Sequence, residues 1–130
     1  MSRFNASTLT AGLFVLVSAV ACEHGDSGFQ AEIKKVDYLC ENGQRLQLKY
    51  VTPHDGEPGL ATLTYRNAIV PMHQERAASG VLYVADKGQP GYRWHTKGEG
   101  GVLLMHSLGN GEEEVVLRDC RSTETRNEGN

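Results

Sequence analysis

Residues 45–74 read RLQLKYVTPHDGEPGLATLTYRNAIVPMHQ, and this stretch decides the fold. Leu46, Leu48 and Tyr50 alternate with Gln47 and Lys49, the period-two pattern of a strand with one buried face. Residues 52–59 (TPHDGEPG) form a loop by composition. Two further strand-like runs, residues 60–65 and 68–74, are separated only by Arg66-Asn67, the length of a tight hairpin turn. Pro71 has no backbone N–H to give to a ladder, so its strand is expected at a sheet edge or with a bulge there.

The same reading extends in both directions. Upstream, residues 36–40 form a strand closed by Glu41-Asn42-Gly43. Downstream come residues 80–85, closed by Asp86-Lys87-Gly88, then 92–96, 102–106 and 113–120, the last two separated by Gly109-Asn110-Gly111. In residues 92–96, Tyr92, Trp94 and Thr96 alternate against Arg93 and His95. No sustained helical periodicity and no βαβ spacing interrupts the series. Eight short strands with glycine-rich turns predict an all-β fold: a small eight-stranded antiparallel β-barrel, built as a meander that closes on itself and so removes its edges. Trp94, Tyr50 and Leu104 are the large side chains expected to fill it.

The ends of the chain have a different character. Residues 1–10 carry one base, Arg3, and no acid, and residues 11–20 (AGLFVLVSAV) are apolar or small up to Ala19-Val20-Ala21. A basic start, a short apolar run and an A-x-A end describe a secretory signal, too short to remain as a membrane span. The expected organisation is therefore a signal peptide (1–21), a flexible tether (22–30), a barrel domain (31–120) and a disordered tail (121–130), the last without any aliphatic side chain. The chain has a formal net charge of −3, and removal of a segment that contains Arg3 leaves the exported chain more acidic by a single charge. That balance argues against nucleic acid and suits a cationic partner.

Three cysteines divide two against one. Export implies an oxidising compartment, where Cys40 and Cys120, near the two ends of the domain, are expected to pair and clasp the barrel seam. Cys22 is left over at the cleavage point, where it resembles the acylated cysteine of bacterial lipoproteins, although Ala19 stands where leucine is usual. The reading is a lipid anchor at Cys22; ordinary cleavage would instead give a soluble periplasmic protein with a free thiol.

Chemistry is scarce. The five histidines show no metal-ligand spacing, and Glu112-Glu113-Glu114 reads as a solvated face. Residues 98–101 (GEGG) lack the setting of a phosphate loop. No nucleophile, base and orienting group come together, so the sequence points away from an enzyme, and no cofactor or metal is expected. Two segments stand out instead: Ser79-Gly80-Val81-Leu82-Tyr83, and Tyr92-Arg93-Trp94-His95-Thr96-Lys97-Gly98.

Ser79-Gly80-x-x-Tyr83 and Tyr92-x-x-x-Thr96-Lys97-Gly98 together resemble the signature of the membrane-bound and periplasmic inhibitors of c-type lysozyme. Tyr38-Leu39-Cys40-Glu41-Asn42-Gly43 and Leu117-Arg118-Asp119-Cys120 are similar to that family's two ends. Residues 86–91 form a longer connection than the family leads one to expect. The resemblance implies that c-type lysozyme is the partner, and that the two motifs form an edge entering its active-site cleft. Ser79 and Lys97 would supply the contacts there. Gly80 and Gly98 would keep the edge slim, with Tyr83 and Tyr92 packing beneath it. It also implies a place in the bacterial envelope, anchored through Cys22, with Glu23 after it hinting at the outer membrane facing the periplasm. The alternative is a structural or small-ligand-binding envelope lipoprotein with no lysozyme partner, since barrels of eight strands can hold one small ligand.

Overall fold

The computed structural model describes Gly12, Gly28 and residues 30–124. Apart from Gly12, the expected signal peptide lies outside the described residues, as do Cys22 and almost all of the tether. Eight strands follow in order: β1 (Ala31–Leu39), β2 (Arg45–Pro53), β3 (Leu60–Tyr65), β4 (Ala68–Glu75), β5 (Val81–Ala85), β6 (Tyr92–Lys97), β7 (Gly100–His106) and β8 (Glu113–Ser122). Each pairs antiparallel with the next and β8 returns to β1, giving a closed barrel.

Turn chemistry sets the register. Arg66 and Asn67 both adopt positive φ (47° and 62°), as a two-residue turn matched to strand twist requires, and Tyr65 faces Ala68 across it. In β8, Asp119 sits at φ 54° where the pairing with β7 slips, so Leu117 and Cys120, three residues apart, both point inward. That bulge brings Cys120 to Cys40, and the disulfide joins them across 80 positions. It lies beside the weakest seam, where β1 and β8 share only Tyr38↔Ser122 and Leu39↔Arg121.

Pro71 avoids the ladder by position. Its carbonyl accepts from Asp86 N at 2.9 Å, on the side where β5 has already ended at Ala85. The nitrogen of a strand residue faces the same way as its carbonyl, so no β5 partner is deprived of a donor. The expected edge is thus local, the end of one ladder within a closed sheet.

The middle of the barrel is filled. Trp94 is completely buried, in one core cluster with Leu48, Leu63, Met72, Leu103 and Leu117. Trp94 faces Leu103 across β6 and β7, and Leu104, expected inside, points outward instead. Val102 to Met105 are all apolar, so alternation gave no way to choose the inward pair. Gly101 settles it: a Cβ there would run into the benzo half of the Trp94 indole. The indole N–H donates to Tyr50 Oη at 2.8 Å, and Tyr50 in turn shares a 2.8 Å hydrogen bond with Tyr38. Burial, reinforced by Tyr38, pushes the Tyr50 phenol well above its ordinary pKa.

Pairing also runs beyond the expected end of the domain. β8 continues to Ser122, whose N–H bonds Glu99, and Thr123 N–H bonds Asp37. At the other end β1 starts at Ala31, five residues before the strand read from the sequence, and its first part is mostly exposed.

Candidate functional site

In an up-and-down barrel, alternate connections share an end. One rim collects the start of β1, the end of β8 and the connections at 54–59, 76–80 and 98–99. The other collects 40–44, 66–67, 86–91 and 107–112. Ser79 and Lys97, far apart in sequence, are therefore neighbours on the first rim, while the long 86–91 connection is at the second. Val81↔Thr96 through Val84↔Arg93 pair without interruption, so the length of that connection does not disturb the pairing next to the site.

Two contacts join the two motifs into one lip, and a third braces its turn. Gly80 has φ +67°, and a Cβ on it would collide with the Thr96 carbonyl oxygen and lie 3.2 Å from Lys97 Cβ. Only glycine permits that approach. His95 Nε2 donates to the Ser79 carbonyl at 2.8 Å, which fixes the ring's proton on Nε2 and holds the loop against β6. Thr96 Oγ1 donates to the Gly100 carbonyl at 2.9 Å, bracing the two-residue turn in which Gly98 takes φ +61°. Open space surrounds Gly98, so its role is the turn conformation.

What the lip displays is simple. Ser79, Gly80, Lys97 and Gly98 are all exposed. Neither the Ser79 hydroxyl nor the Lys97 ammonium has a partner among the described residues. The lip thus offers one hydroxyl and one ammonium on a backbone held from behind.

The two tyrosines of the motifs differ: Tyr83 lies inside the barrel behind the lip, and Tyr92 does not. Tyr83 points into the barrel, 5.4 Å from the Tyr50 ring, and burial raises its pKa. Tyr92 begins β6 at the opposite rim, packed edge-on against Tyr65 at 6.1 Å. Five strand steps, about 16 Å, separate it from Lys97, so it braces the far end of the strand and does not sit beneath the lip. His95 was missed as a site residue because a strand histidine on an outward face carries no signal until its partner, a backbone carbonyl, is placed. Among the described residues, no group of His, Cys, Asp and Glu side chains could hold a metal ion.

With its middle filled by Trp94 and its neighbours, the barrel is left to carry binding chemistry at its rims and outer surface. The model of the family described as membrane-bound lysozyme-inhibitor of c-type lysozyme matches residues 38–110, more than half of the chain and both motifs, and the chain belongs to that family. A search of curated proteins returns no match. Among solved structures, the chain is similar to PliC-St, the periplasmic lysozyme inhibitor of C-type lysozyme from Salmonella typhimurium. The identity is 26% and the TM-score 0.58, with 70% of this chain and 98% of that one covered. It also resembles Pseudomonas aeruginosa MliC, crystallised in complex with hen egg white lysozyme, at 23% identity and a TM-score of 0.52. That match covers 94% of this chain and 98% of the other, and at this identity it speaks for the shared fold.

Proposed function

We propose that this protein inhibits c-type lysozyme by inserting the Ser79–Lys97 lip into the enzyme's active-site cleft, protecting peptidoglycan. The observation that carries the reading is the pair of unengaged donors, Ser79 Oγ and Lys97 Nζ, on one braced edge. Lysozyme works with two carboxylates, one held protonated by apolar surroundings and one ionised. An ammonium meeting the ionised group forms a charge-assisted hydrogen bond, and a hydroxyl can donate to or accept from the other. Because the lip is already held in place, little ordering entropy is lost on binding. Export to the bacterial envelope, with an anchor at Cys22 in the outer membrane, puts the inhibitor where lysozyme attacks. The alternative of a ligand swallowed by the barrel has no room below the level of Tyr50, where Trp94 fills the interior.

The test is clearing of a bacterial cell-wall suspension by a c-type lysozyme, with folded, disulfide-bonded residues 23–130 added. Dose-dependent loss of clearing is expected. Truncating one partner of a buried charge pair costs roughly 2–5 kcal/mol, so Lys97→Ala should weaken inhibition at least about thirtyfold. Full inhibition by both Ser79→Ala and Lys97→Ala would overturn the mechanism, and no inhibition by the wild-type domain would overturn the function.

A further inference from the structure

The lip has an inner side as well as a tip. Behind Thr96 and Gly98, which belong to both, the barrel opens into a mouth cavity of about 560 Å³. Tyr38, Tyr50 and Tyr83 line its depth, and Glu32, Lys34 and Glu124 stand at its edge. Residues 32, 34, 36 and 38 alternate along β1, and the burial of Val36 and Tyr38 shows that this set faces inward.

Two groups in this cavity are unspent. Tyr83 is only 7% exposed, yet its hydroxyl has no hydrogen-bond partner among the described residues. It is not one of the two sealed, unpartnered polar atoms, Arg93 Nε and His106 Nδ1, so the hydroxyl is open to the cavity. Tyr38 and Tyr50, by contrast, satisfy each other. Glu32 likewise has no partner among the described residues, whereas Lys34 is tied to Glu124 at 3.3 Å. The carboxylates lining the mouth therefore outnumber its one lysine. Aromatic faces, a phenolic acceptor and a free carboxylate are what a guanidinium or ammonium group seeks.

We infer that this mouth is a second subsite of the lysozyme interface, receiving a cationic side chain from the wall of the cleft that closes over the inner side of the lip. The inference rests on the inhibitor reading above: a lip inside a cleft has an enzyme wall on each side, and the inner wall faces the mouth. Lys97 and Glu32 then have opposite jobs, one seeking the enzyme's carboxylates and the other its cations. The mouth supplies discrimination, because a lysozyme lacking a basic residue there leaves Glu32 desolvated and unpaired.

The experiment is titration calorimetry of the folded domain against hen egg white lysozyme at low and raised salt. Glu32→Gln should weaken binding about threefold to tenfold, mostly at low salt, and Tyr83→Phe by a smaller factor. Lys34→Gln releases Glu124 into the mouth and should tighten binding, an opposite sign that a folding defect would not produce. If all three bind like wild type while Lys97→Ala loses affinity, the mouth is not a subsite and the inhibitor reading stands. If Lys97→Ala also binds like wild type, the lip reading itself fails and takes the subsite with it.

Discussion

Replacing Gly101 by alanine tests how the barrel is filled. The new methyl group would be driven into the benzo ring of Trp94, with even the Cε2 atom at 3.0 Å. Trp94 has no exposed surface and touches Tyr38 edge-on at 4.9 Å, so the indole has nowhere easy to go. Overpacking of this kind costs about 1–3 kcal/mol. Tilting the ring also breaks the 2.8 Å bond from its N–H to Tyr50, adding about 1 kcal/mol. A domain of this size loses roughly 4–8 °C in Tm per kcal/mol, so Gly101→Ala should melt about 10–25 °C lower. Trp94 is the only tryptophan, so its fluorescence reports the same site. Trp94→Phe removes the benzo ring that the methyl group meets, and combined with Gly101→Ala it should recover at least about 1 kcal/mol relative to the sum of the two single changes. A Gly101→Ala protein with wild-type Tm and unchanged emission, or strictly additive double mutants, would refute this account of the interior.

Other outcomes follow from the seam, the lip and the outer surface. Replacing Cys40 and Cys120 by serine releases a loop closed across 80 positions, worth about 4.5 kcal/mol in the chain-entropy model. Hydrogen exchange should then show the β1–β8 edge opening before the rest of the barrel. Gly80→Ala forces a left-handed backbone and a clash with Thr96, so inhibition should fall by more than its melting temperature implies, and equal inhibition would show that the lip is compliant. His73 hydrogen-bonds Asp86 at 2.7 Å, the chief reason its pKa is raised above 6.5, with burial opposing. Its stabilising effect is complete below 6.5 and is lost as pH rises through the raised folded value. His73→Gln should flatten the fall in Tm across that interval, and a wild-type protein with no such fall would contradict it.

The strands with alternating faces were legible, and so was their number. Residues 46–50 and 92–96 announce an inner and an outer side, and Arg66-Asn67 announces a hairpin. The start of β1 was not legible, because its first five residues are mostly exposed at the mouth and show no buried face. Neither was the end of β8, where the pairing runs past Cys120 through polar residues that composition assigns to a tail. The motifs put Ser79 and Lys97 in reach as candidates, since their types and order are visible in the chain. The mouth cavity was not, because Glu32, Tyr38 and Tyr83 come from separate strands and meet only when the barrel closes. Tyr92 shows the converse error: membership of one motif with Lys97 suggested shared space, and an extended strand carried the two to opposite rims.

Both described ends of the domain, Gln30 and Glu124, emerge at the rim that carries the lip. Any anchor acting through the N-terminus therefore holds the barrel lip-first toward the surface it is fixed to. From Cys22 to Gln30 the chain can reach at most about 28 Å, and a small globular domain is itself about 30 Å across. If Cys22 carries the proposed anchor, the target is left a slot no wider than the enzyme itself. Lysozyme would then have to arrive sideways along the membrane face, and a copy tethered in this way would guard the layer beside its own membrane.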